Sequence, residues 1–119
     1  MNISESESRV MAVLWQESPL DSGEIVRRVA PAENWSPKTV RTLLDRLMEK
    51  GALARHRVGR AYRYEPLIER EQWLSDRAGS LVDRHCDGRL APLVAAFARS
   101  EKLSDEDRRE ILDMLEQMK

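Results

Sequence analysis

The sequence has almost no cysteine: Cys86 stands alone among 119 residues. One thiol excludes an internal disulfide and a multi-thiolate metal site. Five glycines and five prolines are too few for a low-complexity linker protein. No stretch approaches the run of roughly 18 apolar residues that a spanning helix needs, so direct membrane insertion is not expected. A secretory pattern is also missing. Met1-Asn2-Ile3-Ser4-Glu5-Ser6-Glu7 is polar and acidic, where a signal has a basic region and an apolar core. The expected location is the cytoplasm. What is present is a helix-leaning composition, 41% apolar and 34% charged, in 13.8 kDa. That is room for one domain, or a small domain plus an oligomerisation arm.

The net charge of −1 conceals an uneven distribution. Between residues 36 and 63 lie Lys38, Arg41, Arg46, Lys50, Arg55, Arg57, Arg60 and Arg63 against only Asp45 and Glu49, a local charge of +6, so the rest of the chain sums to −7. One basic block in a near-neutral protein is a common form for a nucleic-acid binder. A solvated charged face would look the same, and the surrounding architecture decides between them.

Ser4 followed by Glu7 forms a capping-box start, and Val10, Val13 and Leu14 recur at helical spacing, predicting a first helix over 4–17. Pro19 cannot continue it. Asp21 with Glu24 repeats the capping logic for a second helix that ends near Ala30, with a loop through Pro31 to Trp35. Ser36 then caps a third helix with Pro37 at its first position and Gly51 beyond its end. Within 37–50, Val40, Leu43, Leu44 and Leu47 form one buried stripe. Leu53 to Arg57 and Ala61 to Glu65 read as two strands around Val58-Gly59-Arg60. Tyr62 and Tyr64 share one face of the second strand as packing residues, and Arg63 takes the other. The expected fold is mainly α with a small β-hairpin: a winged helix-turn-helix over 1–66, then a helical dimerisation arm over 67–119. Trp15 is expected in the core, Trp35 under the third helix, and Trp73 between the two halves.

The arm carries nine Lys and Arg against twelve Asp and Glu. Its apolar residues fall in three stripes: Leu74, Ala78, Leu81 and Val82; Leu90, Leu93, Val94 and Phe97; and Ile111, Met114, Leu115 and Met118. Breaks lie at Asp87-Gly88 and near Lys102-Leu103, and Ser104 caps the last helix. Three short helices cannot bury all these stripes within one arm. A second copy is the simplest cover, so a homodimer is expected.

A recognition helix packs its inner stripe and turns outward groups that match base edges. Guanine offers paired acceptors to Arg and Lys, and thymine a methyl to Thr. Lys38, Thr39, Arg41 and Thr42 are nearest the N-terminus and expected in the major groove. Arg46 and Lys50 are expected on phosphates, with Arg57, Arg60 and Arg63 on flanking backbone or minor groove. Arg41 with Asp45, or Arg46 with Glu49, also stand where they could pair on a solvated helix. Catalysis and metal binding find little support. His85-Cys86-Asp87 is the one cluster of soft ligands, its members adjacent and so divergent on a helix, and His56 stands among arginines. No enzyme, metal or cofactor is expected.

The string from Trp35 through Ser36, Pro37, Lys38, Thr39, Val40, Arg41, Thr42, Leu43 and Leu44 to Arg46-Leu47 and Lys50-Gly51 closely resembles the recognition-helix segment of the penicillinase repressor family, which covers the BlaI, MecI and CopY repressors. The resemblance extends to Val13-Leu14-Trp15, to Gly59-Arg60-Ala61-Tyr62 with Tyr64, and to Leu90 through Phe97. It implies a homodimeric winged-helix repressor of palindromic double-stranded operators with TACA/TGTA half-sites, controlling β-lactamase or cell-envelope genes. It also implies a membrane-bound sensor metalloprotease pathway that leads to cleavage in the dimerisation domain, commonly between Asn and Phe. The matching bond here is Ala96-Phe97, with the Phe and without the Asn. The copper branch carries a C-terminal cysteine cluster, which Met114 to Lys119 lacks. A metal-responsive repressor and a winged-helix protein-interaction module are the alternative readings.

Overall fold

The computed structural model describes residues 1–118, which divide into two compact units, Met1–Trp73 and Leu74 onward. The first unit runs α1 (Glu5–Gln16), β1 (Leu20–Asp21), α2 (Ser22–Glu33), α3 (Pro37–Glu49), β2 (Leu53–Val58) and β3 (Ala61–Pro66). It continues past Pro66 into the first turn of α4 (Arg70–His85).

Each helix of this unit begins where a side chain replaces a missing backbone acceptor. Ser4 and Glu7 form a reciprocal capping box on α1, and Asp21 and Glu24 another on α2. Ser36 caps α3 with Pro37 in the first turn. The end of α3 is equally defined. Gly51 takes a φ of 79°, its amide donates to the Met48 carbonyl, and the Ala52 amide reaches back to that of Leu47. This is a Schellman closure, which needs the left-handed conformation that glycine adopts without a Cβ penalty. The fully buried Ala52 then starts the path into β2.

The four residues of the predicted stripe, Val40, Leu43, Leu44 and Leu47, are all buried. They meet Val10, Met11 and Leu14 of α1, Ile25 and Val29 of α2, and Ile3, Leu20, Leu53 and Tyr64 in one core. Trp15, Trp35, Ile68 and Trp73 lie partly buried at its margin. The Trp15 indole nitrogen donates to the Ile68 carbonyl at 3.0 Å. Its ring meets that of Trp73 at 5.3 Å and 42°, so Trp73, expected between residues 1–66 and the segment that follows, packs from the start of α4 against the first unit's core.

Three features correct the sequence-based expectation. The hairpin is part of a three-stranded antiparallel sheet in the order β1-β3-β2, because Leu20 and Asp21 pair with Tyr64 and Arg63. Two residues are too few to show a strand period. The second helix does not stop at Ala30: Pro31 lies within α2. A proline near a helix end removes only one amide bond, and the Trp35 amide still donates to the Ala30 carbonyl, past Asn34 at a φ of 58°. Finally, Tyr62 and Tyr64 share a face but not an environment, since Tyr64 is buried and Tyr62 is 40% exposed.

The second unit contains the rest of α4, α5 (Ala91–Ala98) and α6 (Asp105–Gln117). The breaks fall as predicted, with Asp87 and Gly88 at positive φ and the Ser104 hydroxyl accepting from the Asp107 amide at 3.0 Å. No residue of α4, α5 or α6 is buried. Leu74, Leu81, Leu90, Val94, Phe97, Ile111 and Leu115 are each at least 40% exposed, and Val82 and Leu93 are half-buried.

The only charged residue in the first unit's core is Glu7, 1% exposed. Burial pushes its carboxyl pKa up, but hydrogen bonds from Lys50 and from the Ser4 amide and hydroxyl outweigh that and hold it below the ordinary 4.5. The ionised form therefore stabilises the fold fully above pH 4.5, and that contribution disappears as pH falls through the lower folded-state value. Urea midpoints compared between the native chain and Glu7→Gln are expected to differ most at neutral pH. They should converge in acid; a gap independent of pH would mean that the Glu7 charge contributes nothing.

Candidate nucleic-acid interface

The outward surface of α3 follows from its inward stripe. With Val40, Leu43, Leu44 and Leu47 turned into the core, Lys38, Thr39, Arg41, Thr42, Asp45 and Arg46 remain exposed. The threonine hydroxyls are already engaged. That of Thr39 lies 3.1 Å from the Ser36 hydroxyl, and that of Thr42 donates to the Lys38 carbonyl at 3.0 Å. With the Thr42 donor used internally and the Thr39 hydroxyl shared with Ser36, each side chain also offers its methyl, the group that suits a thymine methyl.

Three cations of the first unit are paired within it. Arg9 pairs with Glu33 at 3.2 Å, Arg28 pairs with Glu17, and Lys50 with Glu7 at 2.5 Å. Among the described residues Lys38, Arg41, Arg46 and Arg60 enter no ion pair, so neither the Arg41–Asp45 nor the Arg46–Glu49 pairing forms. The cations of α3's outer face and of the hairpin turn are thus available to an external anion, whereas Arg9, Arg28 and Lys50 are neutralised in place.

The hairpin sorts its arginines by strand alternation. Arg57 stands opposite Tyr62 and Arg55 opposite Tyr64, while Arg63 stands opposite His56 on the other face. Arg57 folds back, its Nε donating to the Gly59 carbonyl at 3.2 Å. Gly59, at a φ of 64°, makes the tight turn that displays Arg60. Arg63 lies across from Asp21 in β1. The Asp21 carboxyl is held below its ordinary range first by the Glu24 amide, and also by the charges of Arg27 and Arg63. On the same strand face as Arg63, His56 meets Glu65 at 2.7 Å. Arg57 and Arg63 therefore do not form one cluster around the turn, as the sequence order suggests. Arg63 sits among two carboxylates and a histidine.

Two residues stand where the sequence order did not indicate. Lys50, expected on a phosphate, directs its ammonium to the Glu7 carboxylate and to the Asn2 carbonyl at 2.8 Å. In the other direction, Arg55 gains a place that motif spacing did not give it: its guanidinium lies 4.2 Å from the centre of the Tyr62 ring. Diagonal neighbours across an antiparallel pair reach each other in this way, and a guanidinium over an aromatic face is attracted by the ring quadrupole. Register would have revealed the pair once Arg57 was placed opposite Tyr62.

Among the described residues, no group of three or more His, Cys, Asp or Glu gathers as a metal site, and no helix is long and apolar enough to cross a membrane.

The family model described as penicillinase repressor matches residues 3–117. A penicillinase repressor of Bacillus licheniformis is 35% identical over 117 residues, spanning 98% of this chain and 91% of that protein. Among solved structures, the DNA-binding domain of the repressor BlaI is 40% identical with a TM-score of 0.55, covering 58% of this chain and 84% of that one. A second, the monomeric form of Bacillus licheniformis BlaI in complex with the blaP half-operator, is 39% identical with a TM-score of 0.54, covering 60% and 87%.

The two surfaces should respond differently to mutation. Arg60→Ala is expected to weaken binding to every duplex alike and to flatten the plot of log affinity against log salt by about 0.9, the value of one phosphate contact. Arg41→Ala is expected to cost about 1–3 kcal/mol on the preferred sequence and little on others. Anisotropy titrations on two duplexes across a salt series separate the outcomes.

Proposed function

The chain belongs to the penicillinase repressor family, and from that membership we propose that it is a dimeric repressor of transcription that reads a palindromic operator with TACA/TGTA half-sites. The observation that carries this reading is the set of cations on α3 and at the hairpin turn, Lys38, Arg41, Arg46 and Arg60, that enter no ion pair among the described residues, while Arg9, Arg28 and Lys50 are paired within the unit. Lys38, Thr39, Arg41 and Thr42 take base edges in the major groove, and Arg46, Arg57 and Arg60 take phosphates. Arg55, placed over the Tyr62 ring, joins the hairpin's contribution. Arg63, facing Asp21, acts as a weaker partner.

Dimerisation follows from the second unit. Helices with no buried residue and apolar stripes open to water have the makings of an interface. Leu74, Leu81, Val82, Leu90, Leu93, Val94, Phe97, Ile111 and Leu115 are the residues that a second copy covers. Linking two DNA-binding units raises the effective concentration of the second once the first has bound. The palindrome is then read far more tightly than either half.

Release of the operator works through the same unit. The Ala96–Phe97 bond lies in α5, an eight-residue helix without a side-chain N-terminal cap. So short a helix opens at small cost when it lacks tertiary cover. Cleavage there, under control of a membrane-bound sensor metalloprotease, divides the dimer interface and leaves every base contact intact. Genes for β-lactamase or cell-envelope functions are the targets that family membership favours.

The reading is tested by fluorescence anisotropy with a TACA/TGTA palindrome and a scrambled duplex across a salt series. Tight binding to the palindrome alone, with a steep salt dependence, is expected; equal weak binding to both would remove the operator assignment. Leu93→Asp and Phe97→Asp are expected to give monomers in sedimentation velocity. They should lose affinity for the palindrome while binding a single half-site like the native chain. A dimer that persists in both variants would relocate the interface.

A further inference from the structure

The C-terminal end of α3 is held by a buried charge on another helix. Lys50 is the last residue before Gly51 turns the chain. Its ammonium makes two contacts, to the Glu7 carboxylate at 2.5 Å and to the Asn2 carbonyl at 2.8 Å. The Glu7 side chain is 2% exposed, that of Lys50 36%, and the same Glu7 oxygen accepts from the Ser4 amide at 2.8 Å. One carboxylate therefore begins α1 and fixes the end of α3.

We infer that Glu7 and Lys50 are positioning residues for DNA recognition: the pair sets the rotation and advance of α3, and Lys50 does not bind phosphate. This rests on the DNA-binding reading above. Burial of an apolar stripe is non-directional, so Val40, Leu43, Leu44 and Leu47 hold α3 against the core but tolerate small rotations and slides. A charge-assisted hydrogen bond has a fixed length and direction and removes that freedom. A helix advances about 1.5 Å per residue, which puts Arg41 roughly 13 Å from Lys50 along a rigid rod. An error of seating at Lys50 therefore arrives at the base-reading turn undiminished. The ammonium that anchors α3 is already held by the protein, unlike the cationic groups of Lys38, Arg41 and Arg46.

The test uses the full chain with Lys50→Met, which keeps the aliphatic stem, Glu7→Gln, the double variant and Lys50→Arg, each confirmed folded by circular dichroism. Lys50→Met and Glu7→Gln are each expected to lower affinity for the palindrome about tenfold, the scale of one mismatched base pair. Affinity for the scrambled duplex and the salt slope should stay unchanged. The double variant should be no worse than either single one, and Lys50→Arg should restore most of the loss. If Lys50→Met weakens both duplexes equally and flattens the slope by about 0.9 while Glu7→Gln does not, Lys50 is a phosphate ligand and the inference fails. Native-like binding by both variants overturns it as well. If Glu7→Gln does not fold, Lys50→Met alone decides, because its side chain reaches the surface. A second measurement is independent of the operator: amide resonances of Lys38 to Arg46 in free Lys50→Met should shift from their native positions. If they do not move, α3 is seated without the pair, even if the native chain prefers no palindrome.

Discussion

A carboxylate inside an apolar core is the costliest group this protein orders, and the arrangement of its first unit depends on how that cost is offset. An ion taken from water into a protein interior loses several kcal/mol of hydration. Glu7 recovers it from the Ser4 amide, which it must accept from in any case to begin α1, and from Lys50, which sits 43 positions away in sequence. A local requirement of helix capping and a long-range requirement of helix packing thus meet in one oxygen. An apolar residue at that position could fill the volume but could not begin α1 and orient α3 together.

Orientation matters because α3 has two tasks on opposite faces. Four aliphatic residues face inward and are fully or nearly fully buried; cations and two threonines with engaged hydroxyls face outward. Pairing every arginine with a neighbouring carboxylate would make a more neutral surface and a poorer ligand for DNA, since a phosphate would first have to displace the carboxylate. On α3 the outer cations Lys38, Arg41 and Arg46 enter no ion pair among the described residues. The paired carboxylates are those of Glu17, Glu33 and Glu7, so a net charge near zero coexists with a locally unbalanced face.

What the sequence disclosed of this follows the range of the interaction. Caps at Ser4, Asp21 and Ser36 act over three residues, and the stripe of α3 over seven; these local patterns were legible and the structure has them all. The strand β1 was not legible, because its two residues acquire strand character only from Tyr64 and Arg63 across the sheet. Pro31 misled for a different reason: it signals a break wherever it occurs, yet at a helix end the missing amide is nearly redundant. Lys50 was assigned by its place in a basic run, and its partner is invisible without the fold. The split of Arg57 from Arg63 was within reach, since alternation from Tyr62 and Tyr64 puts them on opposite faces.

The two units also differ in how they are stabilised, and the difference bears on control. The first has a core containing Ile3, Leu14, Ile25, Leu44 and Leu47, each at most 2% exposed. The second has helices of 8 to 16 residues with nothing buried, near or below the length at which an isolated helix holds in water. Its order is therefore tied to whatever covers its apolar faces, and loss of that cover and loss of helix reinforce one another. On the proposed reading, inactivation by an event in the weakly stabilised unit leaves the unit with the basic face unchanged, so specificity and switching would each draw on their own source of stability.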